Sequence, residues 1–264
     1  MSIRTSASAF FSAIILVLTY GVQAQNFEHK EQPILAGTST GTAQWELEER
    51  KEQPLASWGF WSDLNKTPNG TVFSITPDNI NPGDLIIAGS FDSIGDTAFE
   101  RIAEYGRYPL SATAFGTGVQ NGVVYSTISY RTELFAGGTF TMAGNSTARC
   151  IAMWDGTGWH PLGTDSNEGV DSTVLAMALI GDSLYVGGNF THAGGLLVNH
   201  IAIWNLDSNR WEAIVDNGVV GVDGGVAALL VSDDESNILY VGGGFLHAGS
   251  TTASKIAYLD SGHW

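Results

Sequence analysis

Cysteine is almost missing from this sequence, because Cys150 is the only one among 264 residues. A single thiol cannot form an intrachain disulfide, so a disulfide-stapled scaffold is excluded. The fold must be stabilised by the burial of apolar surface. Apolar residues make up 44% of the chain, and a chain of this length can bury a sizeable core.

Positive charge is also scarce. Only 11 Lys and Arg residues stand against 27 Asp and Glu residues, which gives a formal net charge of −16. A surface of this sign repels phosphate backbones and anionic lipid headgroups, so we expect no nucleic-acid partner and no anionic membrane partner. We interpret the acidic loops as a solubilising surface, with weak cation binding as the alternative.

Long apolar runs are confined to the N-terminus, so the mature chain is expected to have no transmembrane span. The stretch MSIRTSASAFFSAIILVLTYGVQAQ combines a basic Arg4, a short apolar core and small residues before Gln25. This layout predicts a secretory signal peptide at residues 1–24, with cleavage after Ala24 and a secreted or cell-surface protein. An uncleaved anchor is the alternative, but its apolar core is shorter than the roughly 20 residues that a span needs.

Recognisable catalytic motifs are missing as well. The sequence has no nucleophile elbow, no HExxH motif and no readable Ser/His/Asp arrangement. We therefore expect no cofactor and a non-catalytic protein. A secreted glycoside hydrolase or lyase with a pair of carboxylates remains the alternative, because sequence does not show which carboxylates meet in space.

The sequence does contain a repeat. The string LYVGGNFTHAGG from Leu184 returns as LYVGGGFLHAGS from Leu239. Four phenylalanine anchors follow a small-residue pair that includes Gly138, Gly188 and Gly243, and they are spaced by 49, 50 and 55 residues: Phe91, Phe140, Phe190 and Phe245. A glycine lies four residues after each anchor, and an Ile-Ala pair begins eleven after it, with Ile102, Ile151, Ile201 and Ile256. An aromatic residue then closes each unit: Tyr108, Trp159, Trp211 and Trp264.

Each unit reads as four short strands. β-branched and aromatic residues dominate the apolar runs, while turn signals such as GDS and NLDSN separate them. No amphipathic helical period appears after the N-terminal segment. Repeated four-stranded units of about 50 residues predict an all-β fold, a β-propeller of four-stranded blades. We expect the Phe and Ile positions to pack between blades, and the glycine pairs to allow close backbone approach near the axis.

The repeat resembles kelch-like and galactose-oxidase-type propellers in its glycine pair, apolar run and spaced Trp. The longer pattern GGxF…IAxWD…W is similar to propeller repeats of fungal cortical polarity-marker proteins and of bacterial surface proteins. The phenylalanine directly after the glycine pair departs from the kelch pattern. The resemblance implies a binding or scaffold module with a protein or carbohydrate ligand at the rim. A galactose-oxidase-like copper enzyme would need a Tyr–Cys crosslink, for which only Cys150 is available.

Two histidines occupy the same repeat position. His192 and His247 each lie two residues after their anchor phenylalanine. Equivalent positions in adjacent blades share one side of a propeller, so the pair is predicted to lie in rim loops and is the candidate binding site. Two histidines do not complete a metal shell, and plain loop residues are the alternative.

Four N-glycosylation sequons are present, at Asn65, Asn69, Asn145 and Asn189. In a secreted eukaryotic protein the first three are predicted acceptors. Asn189 is the weakest candidate because it falls in a predicted strand beside Phe190.

The domain organisation follows from these segments: the signal peptide at 1–24, an irregular leader at 25–57, and propeller repeats at 58–264. Two arrangements remain open. Residues 61–64 could complete the blade of Phe245 in a four-bladed ring, or the chain could be part of a longer protein with more blades, which we favour.

Overall fold

The computed structural model describes residues 66–107, 110–164, 168–234 and 237–264, which all belong to one compact unit. Within these ranges the chain forms strands, turns and loops, and it contains no helix that could cross a membrane. The all-β prediction is confirmed. The signal peptide, the leader, residues 61–64, Asn65 and Tyr108 lie outside the described residues.

Four successive repeat units contain the strands. The first unit has β1 (Val72–Pro77), β2 (Leu85–Gly89), β3 (Ser93–Ile94), β4 (Thr97–Ala98), β5 (Ile102–Arg107) and β6 (Leu110–Ala114). The second has β7 (Val119–Gln120), β8 (Val124–Tyr130), β9 (Glu133–Gly138), β10 (Met142–Ala143), β11 (Ser146–Thr147), β12 (Ile151–Trp154) and β13 (Trp159–Pro161).

The third unit has β14 (Val174–Ile180), β15 (Ser183–Gly188), β16 (His192–Ala193), β17 (Leu196–Leu197), β18 (Ile201–Asn205) and β19 (Arg210–Ala213). The fourth has β20 (Val215–Asp216), β21 (Val219–Val220), β22 (Val226–Val231), β23 (Leu239–Gly243), β24 (His247–Ala248), β25 (Thr251–Thr252) and β26 (Ile256–Leu259).

Each unit forms one antiparallel sheet. The strand orders are β1-β2-β5-β6, β8-β9-β12-β13 and β14-β15-β18-β19, so the first three sheets have the four strands that the sequence predicts. The fourth sheet has three strands, β22-β23-β26. The predicted GDS turn is confirmed, because Ile180 pairs with Ser183 across it and Gly181 has a φ of +57°. The four sheets follow one another as repeats of the same meander.

The second glycine of each pair allows a strand to cross close by. Every first strand carries a register shift near its start, for example between Val174 and Ala176. There the carbonyl oxygen of Thr173 accepts a hydrogen bond from the Asn189 N–H at 2.9 Å. A Cβ at Gly188 would lie 2.0 Å from that oxygen, a distance that no side chain tolerates. Gly89, Gly138 and Gly243 meet the same obstacle at 1.9, 1.8 and 2.1 Å. The predicted close approach is confirmed, and it occurs within each unit.

The first residue of each pair lies at the contact between sheets, and it is Ala88 in the first unit and glycine in the other three. A Cβ at Gly187 would lie 2.5 Å from Val226 Cγ1, and one at Gly137 would lie 2.5 Å from Val174 Cγ1. Both valines belong to the first strand of the following unit. The first strands of successive units also pack beside each other, with Ser74 Oγ 2.7 Å from Thr127 Oγ1. The small residue is therefore a socket for the next sheet's valine.

The hydrophobic core is divided among the spaces between consecutive sheets. Phe140 lies in a cluster that joins the first and second sheets, Phe190 in one that joins the second and third, and Phe245 in one that joins the third and fourth. All four anchor phenylalanines are buried. Packing between sheets is confirmed for Phe140, Phe190 and Phe245, whereas Phe91 lies in a cluster made of first-unit residues alone. Because each sheet depends on its neighbour for burial, stability is shared along the stack.

The isoleucine position departs from its prediction in one unit. Ile102, Ile151 and Ile201 are at most 1% exposed, and each packs toward the following sheet. Ile256 is 66% exposed. The prediction that it packs between sheets is wrong, because no described sheet covers that side of the fourth sheet.

A left-handed residue precedes every Ile-Ala pair. Arg101, Cys150, His200 and Lys255 have φ values of 70°, 63°, 70° and 75°, which costs a non-glycine residue roughly 1–2 kcal/mol. The backbone holds the conformation: the His200 N–H donates to the Phe190 carbonyl at 2.8 Å, and the Gly188 N–H donates to the His200 carbonyl at 3.0 Å. Cys150 is therefore the left-handed residue that precedes β12, and its backbone rather than its side chain determines the local structure.

Candidate functional site

A small two-stranded hairpin is inserted between the second and third strands of every unit. The four hairpins, β3–β4, β10–β11, β16–β17 and β24–β25, occupy the same place in each repeat, and we call them the hairpin edge. His192 and His247 begin the third and fourth hairpins. The structure thus places both candidate histidines in equivalent loops.

The glycine four residues after the anchor lies in the turn of the hairpin, and in three of the units it packs against a tryptophan ring. Gly194 has a φ of +56°, and a Cβ there would lie 2.4 Å from Trp211 Cδ1. The indole N–H of Trp211 donates to the Leu162 carbonyl at 3.1 Å, just as that of Trp159 donates to the Phe115 carbonyl at 2.8 Å. In the second, third and fourth units the recurring glycine and tryptophan therefore form one packing pair that holds the hairpin against the indole ring, whereas in the first unit a Cβ at Gly95 would meet Lys66.

A carboxylate clamps the third hairpin to the loop before β14. Asp171 Oδ1 accepts hydrogen bonds from the backbone N–H groups of Thr191 and His192 at 2.7 and 3.0 Å. The second oxygen, Oδ2, accepts from the Thr191 hydroxyl at 2.8 Å and lies 3.1 Å from His192 Nδ1. Because Nδ1 faces the carboxylate, Nε2 is the ring nitrogen that a ligand could reach.

The fourth hairpin repeats this clamp. Asp223 Oδ1 accepts from the N–H groups of Leu246 and His247 at 2.7 and 2.8 Å, and Oδ2 lies 2.7 Å from His247 Nδ1. The side chains of His192 and His247 are 49% and 52% exposed. Both imidazoles are thus half-exposed and oriented in the same way by a fixed carboxylate.

The first unit builds the same clamp with an amide. Asn69 Oδ1 accepts from the N–H groups of Asp92 and Ser93 at 2.9 and 3.1 Å, and its Nδ2 donates to the Asp92 carboxylate. Asn69, Asp171 and Asp223 each lie three residues before the valine that opens a first strand. Sequence reasoning missed the two aspartates, although this recurrence of Asn or Asp before a valine was a signal for them.

The clamps keep the two carboxylates ionised. The His247 ring and the N–H groups of His247 and Leu246 lower the pKa of Asp223 to about 2. At Asp171, desolvation acts to raise the pKa, but the hydrogen bonds from His192 and Thr191 outweigh it, and the pKa lies below its usual range. Negative charge is therefore fixed beside each imidazole at neutral pH.

The third and fourth clamps are joined along the hairpin edge. The Asn199 N–H donates to the Thr191 carbonyl at 3.2 Å, and the Asn199 carbonyl accepts from the Val222 N–H at 3.1 Å. Val222 directly precedes Asp223. A continuous chain of backbone contacts thus connects the His192 loop to the His247 loop.

A shallow cavity lies beside the third clamp. Its volume is about 170 Å³, and its lining includes Arg149, Glu168, Asp171 and His192. These side chains offer hydrogen-bond donors, acceptors and both signs of charge. Exposed leucines lie nearby in sequence on the same edge, at Leu196 and Leu197 in β17 and at Leu246 beside His247. The edge combines fixed polar groups with accessible apolar surface, which suits recognition of a ligand.

The other residues that the sequence singled out are not part of the two histidine clamps. Burial, reinforced by the charge of Asp171, raises the pKa of the Cys150 thiol to about 11. Within the described ranges, no group of three or more His, Cys, Asp or Glu side chains is arranged to hold a metal. Asn145 is exposed in the β10–β11 turn. Asn189 is also exposed and follows β15, so its placement inside a strand was wrong.

No protein-family model matches the chain, and no curated protein sequence matches it significantly. Among solved structures, it is similar to the computationally designed Ika4 protein, at 13% identity and a TM-score of 0.41, covering 73% of this chain and 92% of that chain. It is similar to the extracellular domain of a hybrid two-component system from B. thetaiotaomicron, at 17% identity and a TM-score of 0.43, covering 67% of this chain but 20% of that one. A chain of the mitotic checkpoint complex gives 15% identity and a TM-score of 0.36, with 88% and 72% covered. Likenesses at this level assign neither a fold nor a function.

Proposed function

We propose that this protein is a secreted or cell-surface β-propeller module that binds a protein or carbohydrate ligand through its hairpin edge and catalyses no reaction. The observation that carries the proposal is the pair of half-exposed histidines, each held by an ionised aspartate at the same place in adjacent units. Repeat proteins commonly recognise ligands with equivalent positions of neighbouring units.

The propeller part of the proposal is supported by the topology. Three units form a four-stranded antiparallel meander, and the first strands of consecutive units lie side by side. Propeller blades are sheets of this kind, arranged with their first strands around a common axis. Under this arrangement the sheets are blades, and the hairpin edge lies on one side of the propeller.

The binding part is supported by the rigidity of the site. Each clamping carboxylate receives two backbone N–H bonds, so the histidine loops are held in one conformation before a ligand arrives. A pre-ordered site loses little conformational entropy on binding. Imidazole, arginine and carboxylate groups beside exposed leucines can pair with sugar hydroxyls or with the polar rim of a protein partner.

The site is tested with exported, mature protein on a printed glycan array and against a set of extracellular protein domains. We expect at least one ligand whose affinity falls tenfold or more in a His192→Ala/His247→Ala double variant. His160→Ala is the matched control, because His160 is a half-exposed histidine paired with Asp155 outside the hairpin edge. Ligands that bind the double variant as well as the wild type, or no binding to either collection, would overturn the proposal.

Secretion is tested separately, because it rests on the N-terminal sequence alone. N-terminal sequencing of the exported protein is expected to begin at Gln25. Retention of Met1 on exported, membrane-bound material would contradict it.

A further inference from the structure

One face of the fourth sheet is apolar, and no sheet among the described residues covers it. Leu230, Tyr240 and Tyr258 are paired across β22, β23 and β26, so their side chains share a face, and Ile256 lies two residues from Tyr258 on that same face. They are 46%, 41%, 55% and 66% exposed, respectively. We call these four residues the open face. Large apolar side chains grouped in this way on a surface mark an interaction site.

The third sheet shows what normally covers such a face. Its equivalent residues are Ala178, Tyr185, Ile201 and Ile203, which belong to the cluster between the third and fourth sheets. Val226 of the fourth sheet closes that interface by packing against Gly187. On the fourth sheet the corresponding socket, Gly242, is empty: a Cβ there would meet no atom nearer than 3.9 Å. The open face therefore continues an interface that the protein already uses three times.

The first sheet carries the complementary surface. Leu134, Leu184 and Leu239 hold one repeat position, and each is fully buried, but Leu85 at the same position is 37% exposed. Val72, which is equivalent to the fully buried Val124, Val174 and Val226, is only partly buried. The side of the first sheet that would meet a preceding sheet is thus accessible and has the valine that fits the glycine socket.

We propose that the open face binds the first sheet of a second copy of this chain, head to tail, in the geometry of the internal sheet–sheet interfaces. Val72 of one copy enters the Gly242 socket of the other, and Leu85 becomes buried beside the strands of the open face. The two surfaces are different, so the contact is heterologous and each copy retains one free end. Assembly therefore proceeds beyond a dimer as a ring or an open filament.

The test measures molar mass by sedimentation velocity on the mature chain between about 1 and 100 µM. We expect the wild type to grow in mass with concentration. Ile256→Glu blocks the open face and Leu85→Glu blocks the opposite end, so each variant alone stays monomeric because both copies have the same defect. An equimolar mixture of the two variants retains one intact pair of surfaces and forms a 1:1 dimer that grows no further.

The controls separate assembly from folding. Ile256 and Leu85 are exposed, so at concentrations too low for the wild type to assemble both variants should unfold at the wild-type urea midpoint. Tyr258→Glu should reproduce the effect of Ile256→Glu. Val215→Glu alters an exposed apolar residue elsewhere in the fourth unit and should leave assembly unchanged. A wild type that is monomeric at 100 µM overturns the proposal. So does self-association of Leu85→Glu alone, because that result would mean that two open faces pair with each other.

Discussion

The third and fourth sheets follow the same repeat pattern, and they differ in what covers them. Both have an anchor phenylalanine that packs toward the preceding sheet, and both phenylalanines are buried. Toward the following sheet, Ile201 is fully buried and Ile256 is mostly exposed. The repeat thus specifies a sheet with apolar residues on both faces. Whether a face stabilises the fold depends on the neighbour that it meets.

This difference makes the fourth sheet an internal control for the third. Residues that face backward should contribute similarly in both sheets, while residues that face forward should contribute only in the third. The phenylalanine, isoleucine and glycine substitutions are made at equivalent positions of both sheets, so differences in side-chain chemistry largely cancel.

The largest effect is expected at the backward-facing anchors. Phe190→Ala and Phe245→Ala should each lower the free energy of unfolding by about 3–5 kcal/mol, because both create a cavity between sheets. Urea unfolding followed by circular dichroism measures the loss. A Phe245→Ala variant that unfolds like the wild type would mean that the third and fourth sheets are not packed together.

The isoleucines that face the following sheet should contribute differently to stability in the third and fourth sheets. Ile201→Ala removes a fully buried side chain and should cost about 2–5 kcal/mol, whereas Ile256→Ala should change stability by no more than about 0.5 kcal/mol in dilute solution. Equal losses at the two positions would show that the face of Ile256 is covered in solution, and the third and fourth sheets would then not differ in their coverage.

The glycine sockets give a smaller contrast of the same kind. Gly187→Ala forces a methyl group against Val226 and should cost about 1–3 kcal/mol as overpacking. Gly242→Ala meets no near neighbour and should be neutral or stabilising by up to about 1 kcal/mol, because alanine restricts the unfolded chain. The unfolding temperatures of the two variants are compared with that of the wild type. An equal decrease in both would contradict the assignment of Gly187 as a filled socket and Gly242 as an empty one.

The smallest expected effect is on the stability of the protein at acidic pH. The pKa of Asp223 is lowered to about 2 in the folded protein, below the ordinary value of 3.8. Its contribution to stability is complete above pH 4 and disappears as the pH falls toward 2. Asp223→Asn keeps an oxygen for the two backbone N–H groups, as Asn69 does, but should flatten the decline of the urea midpoint between pH 4 and 2. A decline that is unchanged in the variant would show that Asp223 is not its source.

The sequence was a good guide wherever a residue's role depends on a local pattern. The strands, the GDS turn, the buried phenylalanines and the close approach at Gly188 all follow from apolar runs, turn residues and a constant spacing. The clamp of Asp171 was accessible in principle, because Asn or Asp recurs before each opening valine. Its hydrogen bonds to His192 could not be predicted, since they join residues 21 positions apart in separate loops.

Two other features could not be deduced from the pattern. Arg101, Cys150, His200 and Lys255 occupy the left-handed position before the Ile-Ala pair, and none of them is glycine, the residue type that most favours this conformation. Backbone hydrogen bonds hold it instead. The exposure of Ile256 was hidden for the opposite reason: its residue type fits the pattern, and only the absence of a covering sheet in the described chain distinguishes it from Ile201.

The position of Cys150 also makes its thiol a natural reporter of local opening. Its thiol is the only one in the chain, it packs against the cluster between the second and third sheets, and a pKa of about 11 leaves little thiolate at neutral pH. An alkylating reagent should therefore react slowly until those two sheets separate. The labelling rate, followed by mass spectrometry, would report how often the contact between those two sheets opens, without an engineered cysteine.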